Sequence, residues 1–217
     1  RIGPITDYFV HENGETFAGR HLLMDLWDAE HLTDIGYIEQ TLRKAAEAAG
    51  AMVLNMKLHQ FSDTGGVSGV AILAESRIEW PVAQLGIALM GGVMVPLNTY
   101  YQRDDLSYAL NQSHATALFL SSAFRNNRYL ETVQDLRADV PGLRTLIVFD
   151  GDHADTESYN ALIAAGSASG TALPDVSPDA VASLQYTSGT TGFPKGALLT
   201  HAGMLANAWG ISGRLNV

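Results

Sequence analysis

The 217-residue sequence predicts an α/β protein, with a small βαββ two-layer unit followed by an incomplete, mostly parallel sheet carrying helices on both faces. Three observations point there. The runs Val93–Leu97, Ala117–Ser121 and Thr145–Phe149 are continuously apolar, as strands covered on both faces are. Segments of helical period stand between them. The first seventy-odd residues instead place strands of period two around a single helix.

The first unit spans 1–76. Leu22, Met24 and Leu26 share one face of a strand at His21–Trp27. Thr33 or Asp34 caps a helix ending at Gly50, with Ile35, Ile38, Leu42, Ala45 and Ala49 along one side. A strand at Met52–Phe61 turns Leu54, Met56 and Leu58 inward and Asn55, Lys57 and His59 outward. A turn at Ser62–Gly66 leads to a third strand, Val67–Ala74.

The second unit spans 70–217 and shares that last strand. A helix at Ile78–Met90 accepts Pro81 only because it lies in the first turn. Strand Val93–Leu97, helix Asp104–Gln112, strand Ala117–Ser121, helix Asn126–Ala138, strand Thr145–Phe149 and helix Tyr159–Ala165 follow. The loop Gly166–Pro178 leads to strand Val181–Thr187. A second loop, Ser188–Lys195, precedes strand Gly196–Thr200 and helix Ala202–Trp209.

Composition narrows the function. Lys and Arg total 13 against 23 Asp and Glu, a net charge of −10, which argues against a nucleic-acid partner held on a broad basic face. Absence of cysteine excludes disulfides, thiolate metal sites and a cysteine nucleophile. No His/Asp/Glu spacing resembles a metal site. His11, His31, His114 and His153 sit in polar or turn-like contexts and read as solvated. His21 and His59 are candidates for core or site. Residues 1–30 lack the basic start and apolar core of a secretory leader. The apolar run Pro81–Leu97 is broken by Gly91, Gly92 and Pro96, so no membrane span is expected. A cytoplasmic location follows as the expectation.

The strongest chemical signal is Tyr186-Thr187-Ser188-Gly189-Thr190-Thr191-Gly192-Phe193-Pro194-Lys195-Gly196. Its glycines let the backbone approach an anion with converging N–H groups. Hydroxyls add donors, and Lys195 adds the compensating charge. It is not a Walker A motif, because Lys195-Gly196 leads into a strand instead of opening a helix.

This segment resembles the signature loop of the adenylate-forming (AMP-binding) superfamily, which includes acyl-CoA synthetases. The likeness extends back to Val70-Ala71-Ile72-Leu73 and runs through Arg77-Ile78-Glu79-Trp80-Pro81, Gly91–Asn98 and Asp105–Ser113 to Leu199-Thr200-His201. It implies a ligase that joins ATP and a carboxylic acid into an acyl-adenylate, then passes the acyl group to a thiol. ATP with Mg²⁺ is the implied cofactor. Thr187, Ser188, Gly189, Thr190, Thr191, Gly192 and Lys195 would contact the β- and γ-phosphates. The family's adenine segment, its Thr-Glu pair near Mg²⁺, its ribose-binding Asp and its C-terminal lysine would fall beyond Val217. The implied chain is therefore a partial ligase, inactive alone, that forms a homo-oligomer or joins the remainder of the enzyme.

A second resemblance covers about 8–76. Gly19–Trp27, the helix from Ile35 to Ala49, Leu58-His59-Gln60-Phe61, Gly65–Ala71 and Ala74-Glu75-Ser76 are similar to bacterial S-adenosylmethionine decarboxylase, an enzyme of spermidine biosynthesis. That family cleaves its chain between a Glu and a Ser. The resemblance implies that Ser76 would become a pyruvoyl cofactor, with Ser68 and His59 nearby. The likeness stops there: Arg77 stands where a histidine is expected, and there is no cysteine. With the acid and base missing, the chain is expected to stay intact, with Ser76 as a helix cap. A hybrid without catalysis is the remaining alternative.

Overall fold

All five residues of strand β1 (Gly69–Leu73) are buried, so this strand has no solvent face. A sheet built around such a strand needs cover on both sides. The computed structural model, which describes residues 43–50, 69–187 and 194–215, supplies it.

After β1 come helix α1 (Glu79–Leu89), β2 (Val93–Pro96), α2 (Arg103–Gln112), β3 (Ala115–Leu120), α3 (Tyr129–Asp135), β4 (Thr145–Val148) and β5 (Glu157–Ser158). Helix α4 (Tyr159–Ser169), β6 (Val181–Thr187), β7 (Lys195–Thr200) and α5 (His201–Leu215) complete the described order. The seven strands form one sheet in the order β5-β4-β3-β1-β2-β6-β7. Every neighbouring pair is parallel except β6–β7.

The period of two sorts the strand residues between two cores. On one face Val70, Ile72, Met94, Phe119 and Ile147 meet α1 and α4. On the other, Ala71, Leu73, Val95, Leu118 and Leu120 meet α2 and α3. The fold class predicted for the second unit is the one observed. Residues 43–50 are helical, and Ala45, Ala48 and Ala49 are fully buried in the first of these cores. A Cβ at Gly86 of α1 would lie 3.2 Å from Ala48 Cβ, so the two helices touch through small residues. The expected strands at His21–Trp27 and Met52–Phe61, and the cap at Thr33 or Asp34, lie outside the described residues.

Local chemistry explains the boundaries. Helix α1 stops because Gly91 takes φ 77°, which lets Gly92 N–H reach the Ile87 carbonyl at 2.9 Å and Gly91 N–H reach Ala88. Helix α2 starts with the Asp105 carboxylate accepting from the Gln102 N–H at 3.1 Å. Helix α3 is shorter than the Asn126–Ala138 expected. Phe124 and Asn127 exchange backbone hydrogen bonds around Arg125 at φ 55°, and this turn uses up the first residues. A 3₁₀ turn, Arg137–Asp139, takes the last ones. Helix α4 runs past Ala165 until Gly170 at φ 58° ends it. The short strand β5 was not anticipated. Among the described residues no helix is long and apolar enough to cross a membrane.

The chain runs from β1 to β2 on one side and then back across β1 to β3. That reversal opens a crevice at the carboxyl ends of β1 and β3, the usual place for a ligand in an open α/β sheet. At the other end of the sheet β7 is the edge strand among the described residues, with Leu198 62% exposed.

Gly69 is needed for close packing. A Cβ there would sit 2.7 Å from the Ser113 carbonyl oxygen, a backbone atom that cannot easily move. Gly69→Ala is expected to destabilise the chain by about 1–3 kcal/mol, the usual cost of overpacking. Urea denaturation checks this as a lowered midpoint with an unchanged slope.

Candidate functional site

The carboxyl ends of the parallel strands lie along one edge of the sheet. Thr187 ends β6, the parallel neighbour of β2, and lines one cleft with Pro96, which ends β2, and with Leu97 just after it. The antiparallel return through β7 places Lys195 opposite Thr187. A Cβ at Gly196 would meet the Leu184 side chain at 2.9 Å, so glycine permits the tight pairing at the base of this hairpin. The Thr187 hydroxyl donates to the Lys195 carbonyl at 3.3 Å, and both residues are exposed. Ser188, Gly189, Thr190, Thr191 and Gly192 lie outside the described residues. The structure therefore brings together Thr187 and Lys195 of the seven residues singled out for phosphate contact.

A cleft of about 470 Å³ opens beside this hairpin, lined by Leu97, Asn98, Tyr101, Tyr186, Thr187 and Pro194. Burial, aided by the charge of Asp105, raises the pKa of the Tyr101 phenol. Burial pushes Tyr186 up to about 12. Its hydroxyl donates to the Ala109 carbonyl at 2.9 Å. Both phenols stay protonated at neutral pH.

A second polar cluster fills the crevice between β1 and β3. Arg77 Nη1 donates to Ser121 Oγ at 3.0 Å, and Arg77 Nε donates to Glu79 at 2.8 Å. Ser121 Oγ donates to Glu75 at 2.8 Å, and Glu75 lies 3.6 Å from Arg77. The guanidinium carbon sits 4.8 Å from the Phe149 ring centre. Ser122 N–H donates to Asp150 at 2.7 Å, and the Ser122 hydroxyl also bonds that carboxylate. Burial pushes the Glu79 carboxyl up, but the hydrogen bond and charge of Arg77 outweigh it and hold the group below its ordinary range. Asp150 is held low in the same way, its burial outweighed by the two bonds from Ser122. Sequence reasoning did not single out Ser121, Ser122, Asp150 or Tyr101. Their one signal was position: each follows an apolar strand at its carboxyl end.

Ser76 is exposed in a bend after β1. It does not cap α1 as expected. The N-cap is Ile78, no side chain bonds there, and the Trp80 N–H is taken by the Arg77 carbonyl at 3.1 Å. His59 and Ser68 lie outside the described residues, as do His11, His21 and His31. His114 is exposed, as expected, whereas the Nε2 atom of His153 is buried instead of solvated. Among the described residues no three His, Cys, Asp or Glu side chains are grouped to hold a metal ion.

Two outcomes follow from this geometry. Among the described residues, the Glu75 and Arg77 side chains flanking Ser76 are bonded to Ser121 and Glu79 instead of being free to act on the Glu75–Ser76 bond. Intact-mass spectrometry after prolonged incubation should find one uncut chain. Tyr186 is expected to ionise near pH 12, about two units above an ordinary tyrosine. A raised acid pKa favours the folded state up to about pH 10, and this preference is lost as the pH climbs toward 12. Ultraviolet titration of wild type minus Tyr186→Phe should give a difference curve centred near pH 12.

Comparison with known proteins gives the family of the chain. The family model described as "AMP-binding enzyme" matches residues 40–216. The chain is 34% identical over 162 residues to a putative acyl-CoA synthetase, YngI, of Bacillus subtilis, covering 66% of this chain and 30% of that protein. It is 30% identical over 161 residues to the 4-hydroxybenzoate–CoA/benzoate–CoA ligase of Rhodopseudomonas palustris, covering 74% of this chain and 28% of the ligase. The chain thus spans less than a third of the length of these relatives. Among solved structures, the long-chain-fatty-acid–CoA ligase FadD1 of Archaeoglobus fulgidus superposes with a TM-score of 0.70 at 22% identity, over 83% of this chain and 33% of that one. The anthranilate–CoA ligase AuaEII, solved with anthranoyl-AMP, gives a TM-score of 0.64 at 24% identity, over 76% and 29%. Nothing in these comparisons supports the S-adenosylmethionine decarboxylase resemblance, and the family match runs through residues 40–76, which it had claimed. With a family model spanning most of its length, the chain belongs to the AMP-binding, adenylate-forming enzyme family.

Proposed function

We propose that this chain carries the phosphate-binding part of an acid–thiol ligase, and that residues Thr187–Lys195 hold the β- and γ-phosphates of ATP. The observation that carries the reading is the hairpin at the carboxyl edge of the sheet. There a glycine- and hydroxyl-rich segment begins at Thr187 and ends at Lys195, opposite it in the ladder.

In the reaction of such a ligase, a carboxylate oxygen attacks the α-phosphorus of ATP. The α–β phosphoanhydride bond breaks and pyrophosphate leaves. A thiolate sulfur then attacks the acyl carbonyl and AMP leaves. The first step builds negative charge on the departing pyrophosphate, and donors fixed in advance around it lower the barrier. Thr187 contributes a hydroxyl and Lys195 an ammonium. The glycines permit close backbone approach. Mg²⁺ bound with ATP would neutralise part of the phosphate charge. The relatives' names include benzoate and long-chain fatty acid ligases, so the shared chemistry is a carboxylic acid activated for transfer to CoA.

Titration calorimetry of the 217-residue chain with magnesium pyrophosphate tests the phosphate contact. Wild type is expected to bind weakly. Lys195→Ala should bind about 10- to 100-fold more weakly, the range for losing one charge-assisted hydrogen bond. Equal heats for the two proteins would remove Lys195 from the site.

A further inference from the structure

We infer that Tyr108 is a positioning residue that sets the exit of the phosphate-binding segment, an assignment that rests on the reading of that segment given above. Two consecutive residues of α2 hold the two ends of the segment. At the entry, the Tyr186 hydroxyl donates to the Ala109 carbonyl at 2.9 Å. At the exit, the Tyr108 hydroxyl donates to the Pro194 carbonyl at 3.2 Å, between residues 86 apart in sequence. Gln112 Nε2 in turn donates to the Tyr108 hydroxyl at 2.9 Å from one helical turn further on. A hydroxyl that accepts one bond and donates another is oriented and polarised toward its acceptor.

The tether acts on Lys195 through the peptide plane. A trans peptide is planar, so holding the Pro194 oxygen against α2 directs the Lys195 N–H to the opposite side. It also fixes where the Lys195 side chain starts. Proline has no N–H, so the Pro194 carbonyl is the main-chain group by which this residue can be held. The helix is a firm support, because Leu106, Ala109 and Leu110 are buried in the core. Strand β7 is not self-supporting in this way. Its residues Lys195–Leu198 are exposed, and among the described residues β6 is its one neighbour in the sheet. The direction of the hairpin tip therefore depends on bonds such as the one from Tyr108.

Amide hydrogen exchange and pyrophosphate titration of the full 217-residue chain test the assignment, with Tyr108→Phe and Gln112→Ala as variants. Tyr108→Phe keeps the ring and removes the bond. It is expected to speed exchange at the Thr187 and Lys195 amides by about 2- to 10-fold and to weaken pyrophosphate binding by a similar factor. Exchange in β1 and β3, and the melting temperature, should not change. Gln112→Ala, which leaves Tyr108 in place, should give smaller effects of the same sign. Wild-type exchange at Thr187 and Lys195 in both variants overturns the assignment. So does acceleration that spreads uniformly through β1 and β3, because Tyr108 would then support the core as a whole. Failure of the wild-type chain to bind pyrophosphate overturns the phosphate reading instead, and the exchange arm then judges the tether alone.

Discussion

Strand β1 has neither a solvent face nor a free edge, and the remaining architecture answers that constraint. Its five residues are buried, β2 pairs with one side and β3 with the other. A parallel strand cannot reach its neighbour through a tight turn, so α1, α2 and α3 fill the connections β1–β2, β2–β3 and β3–β4, while a loop leads from β4 to the two-residue β5. The chain covers one face with α1 and α4 and the other with α2 and α3. Because β2 and β3 flank β1 on opposite sides, the winding reverses there, and the carboxyl ends of the strands become the edge where polar groups can gather.

Two kinds of polar chemistry occupy that edge. In the crevice, Arg77 is shared among Glu75, Glu79 and Ser121 and stacked on Phe149. For Arg77 and Glu79 the hydrogen bond and opposite charge outweigh the desolvation that would otherwise neutralise them. At the hairpin the chemistry is open. The chain has a net charge of −10, and Lys195 is its one lysine after Lys57. Under the proposed reading, hydroxyls, backbone N–H groups and Lys195 would receive a phosphate ligand there.

Most elements of the second unit were legible because their signals are local. Continuous apolar runs marked β2, β3 and β4, and Gly91-Gly92 marked the end of α1 within a residue. The start of α3 was not legible. The exchange of backbone bonds between Phe124 and Asn127 leaves no trace in side-chain period. The decarboxylase resemblance found no support for a related reason. A helix on short strands is a pattern common to many folds, and the dipeptide Glu75-Ser76 carries no chemistry without its surroundings. Those surroundings are the ion pairs of Arg77 with Glu75 and Glu79 and the Ser121 hydroxyl, which only the fold brings to Arg77 and Glu75.

By itself the sequence determined the class of the second unit and the succession of most of its elements, because hydrophobic period and glycine placement are properties of neighbouring residues. The tertiary structure decided the strand order β5-β4-β3-β1-β2-β6-β7, the burial of helix residues 45–49 beneath α1, and the approach of Ser121 to Glu75 and of Tyr108 to Pro194. Those contacts join positions 46 and 86 residues apart. No periodicity encodes which distant strands become neighbours. That choice falls to the joint burial of two sheet faces, which the whole chain makes at once.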